Sequence, residues 1–148
     1  MGRRYSIDGE DTNTANTTIL ELRSTTAVRP RVYDVLLSSD ATPADNCGDY
    51  QLQRTTTAGT SSAVTPQALD PGDPAATATA GKAHSAEPTY TANAILLHFA
   101  LNQRATFRWV AAPYGELVLP AAANGLGLLC TSVAASAVNV GSTIHFEE

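Results

Sequence analysis

The sequence is dominated by short runs in which apolar and polar residues alternate with a period of two. In the run TTILELR, Leu20 and Leu22 share one side and Glu21 takes the other, which is typical of a β-strand that buries one face. Turn-forming residues separate the runs, and helical periodicity is nearly absent. Further strands are predicted at 31–38, 50–55, 94–101, 106–110, 116–119, 125–130 and 142–147, with a weaker strand at 133–140.

Eight or nine short strands separated by turn signals indicate an all-β sandwich or barrel. The length of 148 residues favours one domain with a single hydrophobic core. The most apolar run, at 94–101, is expected to be a central strand.

Two segments depart from the strand pattern. Residues 1–16 are polar and are interpreted as a partly mobile N-terminal arm, preceding a single domain over residues 17–148. Residues 57–88 are rich in Ala, Thr, Pro and Gly and are interpreted as a long irregular insertion. Asp73 and Pro74 could open one short helix there. Loops of this length are usually functional or disordered.

The composition limits the classes of partner. With a net charge of -5 at pH 7, the chain lacks the basic face that nucleic-acid binding needs. No apolar stretch reaches the roughly 18 residues of a membrane helix, and no apolar signal core is expected at the N-terminus. A charged content of 16% is well below the usual quarter or so, which suits packing against other protein. Cys47 and Cys130 show no CxxC spacing and are expected to be free thiols, with a disulfide between them as the alternative.

No catalytic or metal-binding pattern is found in the sequence. The three histidines show no HxH or HExxH spacing, and each is interpreted as an ordinary polar residue. His84 is expected in a surface pair with Glu87, His98 on the solvent side of a strand, and His145 in a cross-strand contact. No GxSxG elbow is present. The sequence therefore predicts neither an enzyme nor a cofactor.

The run TFRWVAAPYG contains the single Trp. Alternation directs Phe107 and Trp109 toward the core. Arg104 and Arg108 then face outward, where they are candidates for contacts with acidic residues of a neighbouring chain, or ordinary solvated arginines. A tight turn is predicted at Pro113-Tyr114-Gly115, with Gly supplying the positive φ.

Three stretches together resemble one known family: "LNQRATFRWVAAPYGELVLPAAANGLGL", "RTTTAGTSSAVTPQALDPGDPAATATAGKAHSAEPTYTANAILL" and the terminal "STIHFEE". The chain is similar, from about Tyr5 to Glu148, to small structural proteins encoded among the head genes of tailed bacteriophages. These resemble capsid cement, or decoration, proteins with a jelly-roll fold. The resemblance carries no active-site residues.

The resemblance implies a jelly-roll-type antiparallel β-sandwich of about eight strands that forms a homotrimer. Such a protein is made in the cytoplasm of the bacterial host, binds the major capsid protein on the virion surface and clamps neighbouring subunits. The N-terminal arm and the insertion would be the clamps. The candidate interface residues are Arg104, Arg108, Tyr114, Leu69 and Tyr5.

Two other functions remain open. A receptor- or glycan-binding β-sandwich module of a tail fibre or tip would need an exposed aromatic patch, for which Tyr33, Tyr50, Tyr90 and Tyr114 are available. A small cupin-like enzyme is disfavoured because the sequence lacks clustered metal ligands. Partners in the form of nucleic acid or membrane are not expected for any of these functions.

Overall fold

The computed structural model describes residues 2–148, and all of its regular structure is β. The strands pair antiparallel and form two six-stranded sheets that pack against each other. In chain order the strands are β1 (Arg4–Thr12), β2 (Thr17–Arg23), β3 (Arg31–Ser39), β4 (Cys47–Thr57), β5 (Thr60–Val64), β6 (Gln67–Ala68), β7 (Thr79–Ala86), β8 (Thr89–Asn102), β9 (Thr106–Val110), β10 (Leu117–Val118), β11 (Gly125–Val133) and β12 (Asn139–Glu147). The prediction of an all-β sandwich is confirmed.

Each sheet mixes strands that are distant in sequence. Sheet I has the order β10-β3-β12-β1-β6, and β9 also pairs with β3. Sheet II has the order β5-β7-β2-β11-β4-β8. The short turn at residues 103–105 leads from β8, at the edge of sheet II, into β9, at the edge of sheet I. On this side of the sandwich the edges of the two sheets are therefore formed by the consecutive strands β8 and β9.

The core lies between the sheets and is filled from alternating strand positions. In β12, Val140, Ser142, Ile144 and Phe146 are buried and the residues between them are not. Tyr5 of β1 stacks on Phe146 with ring centroids 5.5 Å apart. Burying an Ile or Phe side chain contributes roughly 1.5–3 kcal/mol. The alternating buried residues therefore stabilise β12 in the middle of sheet I, between β3 and β1.

The predicted N-terminal arm is wrong for residues 4–12, which form β1. This strand pairs with β12 along its whole length and with β6 at Tyr5 and Ser6. Its apolar residues Tyr5 and Ile7 take inward positions and are fully buried, so a polar-looking stretch still follows a period of two. Met1, the first residue of the predicted arm, lies outside the described residues.

The predicted irregular insertion at 57–88 is also largely regular. Strands β5, β6 and β7 lie within it, and β7 joins sheet II beside β2. Between β6 and β7 the chain forms turns, with the Asp73 amide donating to the Asp70 carbonyl at 3.0 Å. The expected helix at Asp73 is absent from this part of the described chain. Small residues hid the strands, because Ala, Thr and Gly give little hydrophobic alternation.

The strand predicted at 94–101 exists, but its position in the sheet was predicted wrongly. It belongs to β8, which is the last strand of sheet II instead of a central one. Its inward side chains are partly buried because no strand lies beyond them. The central strand of sheet II is β2 beside β11, and five consecutive residues of β2 are buried.

Candidate interaction surface

The outer face of sheet I carries a network of polar side chains around Asp34. His145 pairs with Asp34 and Phe146 with Val32, so Tyr33 is the additional residue of a β-bulge in β3. Bulges redirect side chains, and here both Tyr33 and Asp34 contact groups of the outer face. We call Arg108, Asp34, His145, Tyr33, Arg4 and Glu147 the sheet I network.

Arg108 and Asp34 form the best-defined pair of this network. The Arg108 Nε and Nη2 donate to the two Asp34 carboxylate oxygens at 3.1 and 2.7 Å, a bidentate geometry. The His145 Nδ1 lies 3.3 Å from the same carboxylate. The Arg108 hydrogen bonds outweigh burial and, with His145, lower the pKa of Asp34 below its ordinary value. The predicted cross-strand contact of His145 is confirmed.

The two outward arginines have acidic partners within their own chain. Arg108 is bound to Asp34, and Arg104 lies 3.2 Å from Asp45, with both of these last side chains exposed. The outward direction predicted for them is confirmed, since each is exposed. Their predicted contact with a neighbouring chain is not seen in this single chain and stays a prediction.

Arg4 extends the network toward one end of sheet I. Its guanidinium lies 5.6 Å from the Tyr33 ring centroid, a cation–π distance, and 3.6 Å from Glu147. These residues, with Arg31 and Glu116, line a groove of about 170 Å³. The groove is open, and its lining can donate and accept hydrogen bonds and form ion pairs.

Tyr114 projects from the loop between β9 and β10 at this same end. The Gly115 amide donates to the Ala112 carbonyl at 2.8 Å, and the Ala111 amide donates to the Tyr33 carbonyl at 2.9 Å. The predicted turn is present, but the residue with the positive φ is Tyr114, at 65°, and not Gly115. Its side chain is 99% exposed. Non-glycine residues with such a φ are uncommon and often functional.

Leu69 lies at the opposite border of sheet I. Its amide donates to the Arg4 carbonyl at 2.8 Å, and it is 50% exposed. It lines a further groove with Arg4, Asp70 and Asp73. The structure thus brings Leu69 and the Tyr114 loop to the same end of sheet I, on either side of Arg4 and Arg31; we call this the sheet I end.

The prediction of Tyr5 as an interface residue is wrong. Its exposed fraction is 0%, because it occupies an inward position of β1. Its hydroxyl donates to the Pro74 carbonyl at 3.0 Å. Tyr5 therefore ties the loop between β6 and β7 to the core and is not available to a partner.

A second polar network is buried on the outer side of sheet II. The Thr55 hydroxyl donates to the Glu21 carboxylate at 2.7 Å, and Arg23 donates to the same oxygen at 2.8 Å. Burial raises the pKa of Glu21, but the contacts with His84, Thr55 and Arg23 outweigh it and lower the pKa overall. Glu21 is 1% exposed.

The surface pair predicted for His84 and Glu87 is wrong. The His84 side chain is fully buried, with Nε2 3.6 Å from the Glu21 carboxylate and Nδ1 3.2 Å from the Thr18 carbonyl. Glu87 instead accepts from the Thr18 amide at 2.9 Å. The prediction for His98 is confirmed, because it is exposed and lies 2.7 Å from Asp49.

The sequence analysis missed this buried network, although one signal pointed to it. Glu21 lies in an otherwise apolar run, and its neighbours in the adjoining strands are Gly81 and Gly127. A glycine on each side leaves room above the sheet for a polar side chain and its partners. None of the grooves described above is lined by Glu21 or His84, so we regard the network as structural.

Across residues 2–148 no three His, Cys, Asp or Glu side chains are grouped to hold a metal ion. The same residues include no helix of the length and apolarity needed to cross a bilayer. The two cysteines are free.

No family model, curated protein or solved structure matches the chain.

Proposed function

We propose that this chain is a structural protein of a bacteriophage virion. It binds the outer capsid surface and holds neighbouring major capsid protein subunits together, as a homotrimer of jelly-roll type. The observation that carries the proposal is the sheet I end, where an exposed aromatic tip and an exposed Leu flank unburied arginines on a rigid sandwich. Such a combination of apolar anchors with Arg is typical of protein interfaces.

The contacts with the capsid are assigned to the two loops of the sheet I end. The two segments predicted as mobile clamps contain the strands β1 and β7, which are fixed in the sheets. We therefore assign the capsid contacts to the loops around Leu69 and Tyr114. A Tyr ring adds a large contact area at low entropic cost. A standard interface buries roughly 1,600 Å², and a trimer multiplies weak single contacts by avidity.

Arginines at this end supply polar contacts. Arg29 and Arg31 are exposed and line a groove of about 320 Å³ with Glu147 and Glu148. Among residues 2–148 neither has an acidic partner within ion-pair distance. Arg binds carboxylates in a bidentate manner, so acidic residues of a capsid subunit fit this position.

The test is binding of the purified protein to expanded capsids that lack it. Tyr114→Gly removes the ring and also relieves its positive φ, so we expect at least tenfold weaker binding with no fall in melting temperature. Ser62→Ala, at an exposed position of β5 in sheet II, is the control and should bind like the wild type. Failure of the wild-type protein to bind, or equal binding by Tyr114→Gly, would contradict the proposal.

The second candidate is a receptor- or glycan-binding module of a tail fibre or tip. The groove beside the Tyr33 ring favours it, because that groove combines an aromatic side chain with charged groups. The four tyrosines do not form one patch, however: Tyr50 is buried and the Tyr90 hydroxyl is bonded to Thr18. Glycan-array binding together with labelling of the tail in imaged virions would support this function over the first.

A further inference from the structure

Strand β8 differs from the other edge strands of the sandwich. It is 14 residues long, whereas β5 and β9 have 5 residues each and β6 and β10 have 2. Residues 88–103 contain no Asp, Glu, Lys or Arg, and their one Pro precedes the strand. Proteins usually protect an edge by shortness, charge or Pro. β8 has none of these protections.

The free edge of β8 is most regular in its second half. From Leu97 to Asn102 the strand pairs with β4 without interruption, whereas register shifts occur earlier in the strand. Within the described residues β8 has β4 as its partner on one side and no strand on the other. Its outer backbone N–H and C=O groups are therefore available to another extended chain.

A row of half-buried apolar side chains runs beside this edge. Leu97, Phe99 and Leu101 of β8 pack against the core but are not buried by it. Phe107 and Trp109 of β9 are in the same state at the edge of sheet I. The rings of Phe99 and Phe107 stack with centroids 3.6 Å apart and so connect the two sheets. We call the free edge and this row together the β8–β9 side.

The charges that border the β8–β9 side are already paired within the chain. Arg104 lies within ion-pair distance of Asp45, at 3.2 Å, and Arg108 within that of Asp34, at 2.7 Å. The exposed His98 lies 2.7 Å from Asp49. A partner surface with unpaired charges would lose their hydration here without gaining a counter-charge. The surface therefore fits an uncharged partner.

We propose that a second copy of this chain covers the β8–β9 side. In a homotrimer this side faces the threefold axis, so that each copy meets the same side of its neighbours. Each copy then supplies an uncharged strand edge and an uncharged apolar row, and no unpaired charge lies against the contact. The inference deepens the proposed function, on whose self-association it rests, by naming the surface through which the copies meet. Trp109, which is only partly buried in the single chain, would then be buried in the assembly.

The experiment measures the mass of the purified protein by sedimentation over a range of concentrations. Ile95 and Ala100 are exposed positions of β8, so Ile95→Lys with Ala100→Lys charges the edge without filling the core. We expect a wild-type oligomer and at least tenfold weaker association in the double variant. Ala63→Lys, at an exposed position of β5 at the other edge of the same sheet, is the matched control and should associate like the wild type.

A monomeric wild type at all concentrations would overturn the inference, as would equal weakening by Ala63→Lys. If the double variant does not fold, the association of the single variant Ala100→Lys is measured instead, and the same expected and contradicting results apply. Because no capsid is present, the result separates the two proposals. An oligomer that fails to bind capsids refutes the capsid-binding role and leaves this inference standing. A monomer that binds capsids refutes this inference and the homotrimer and leaves the capsid-binding role standing.

Discussion

The outer faces of the two sheets each carry a buried carboxylate, but the partners of the two carboxylates differ in exposure. On sheet I, Asp34 is 5% exposed and is bound by Arg108 and His145, and the Arg108 side chain is 59% exposed. On sheet II, Glu21 is bound by His84 and Arg23, whose side chains are 0% and 14% exposed. An ion pair with one exposed partner is screened by water and adds less stability, whereas a charge among buried partners depends on each of them.

The difference comes from what covers each sheet. The chain at the end of β7 and the start of β8 folds over sheet II, where the Tyr90 hydroxyl lies 2.7 Å from the Thr18 hydroxyl and the Gln53 side chain donates to the Thr91 carbonyl at 2.7 Å. Nothing comparable lies over Gly141 on sheet I, where an added Cβ would meet no atom within 4 Å. Whether a charged side chain contributes mainly to stability therefore depends on whether other parts of the chain lie over it, and not on the type of residue.

The largest effect that separates the two faces is expected for Glu21→Gln. The substitution removes a buried charge whose partners His84 and Arg23 are only 0% and 14% exposed, and breaking such a network costs about 3–5 kcal/mol. The measurement is the free energy of unfolding from urea denaturation. Glu10→Gln, at an exposed position of sheet I, should change it by less than about 0.5 kcal/mol. Equal effects of the two substitutions would mean that the Glu21 network is solvated.

The same variant has a defined response to acid. Because contacts with His84, Thr55 and Arg23 overcome burial and lower the pKa of Glu21 below 4.5 in the folded protein, the ionised group contributes stability that is fully present above about pH 4.5 and lost as the pH falls through the lower folded pKa. The difference in stability between wild type and Glu21→Gln should therefore narrow on acidification below that pH. Urea midpoints at successive pH values measure it, and a constant difference would contradict the assignment.

The next largest effect is expected for Gly127→Ala, which tests the cover of sheet II directly. A Cβ at this position would overlap the Tyr90 hydroxyl, and the ring would have to move away from Thr18. Overpacking of this kind costs typically 1–3 kcal/mol. The free energy of unfolding should fall by that amount, and Gly127→Ala combined with Tyr90→Phe should recover part of it. No recovery would show that the strain lies elsewhere.

The sequence was sufficient to predict many of the strands, but not their neighbours in the sheets, and β1, β5, β6 and β7 were not predicted. The predicted bounds of β2 and β9 match the structure because both alternate strongly between large apolar and charged residues. β1 was missed because Tyr5 and Ile7 are its only large apolar residues. The hydrophobicity of β8 suggested a central position, but a strand at an open edge can be equally apolar if another chain covers it.

The sequence predicted a site residue correctly only where its exposure follows from its own local segment and not from contacts with distant residues. Tyr114 was a candidate as an aromatic residue in a turn, and it is exposed. The partner of Arg108 lies 74 positions away in the chain, and a single sequence contains no information on such a pairing. Tyr5 was misplaced for the same reason, since its burial depends on β12 and on Pro74, both distant in sequence.

A smaller effect is expected for Asp34→Asn in the sheet I network, because the main partner of Asp34, Arg108, is 59% exposed. The amide keeps the shape but loses the charge that Arg108 and His145 bind, and with solvent screening at Arg108 the cost should be about 1 kcal/mol at neutral pH. Because Arg108 lowers the pKa of Asp34, this cost should be present above about pH 3.8, the ordinary value, and disappear as the pH falls further. Asp8→Asn, on the same face and exposed, is the control. A loss as large as that of Glu21→Gln would abolish the distinction between the two networks.

The smallest effect, and one of opposite sign, is expected for Gly141→Ala, the counterpart of Gly127→Ala on the open face. Gly141 lies in β12 with a φ that L-residues accept and with space around its missing Cβ. Glycine in a strand interior costs about 0.5–1 kcal/mol relative to alanine, so the free energy of unfolding should rise by about 0.5 kcal/mol. If Gly141→Ala instead lost as much stability as Gly127→Ala, the face of sheet I would have to be covered in solution, and its network would be part of an interface.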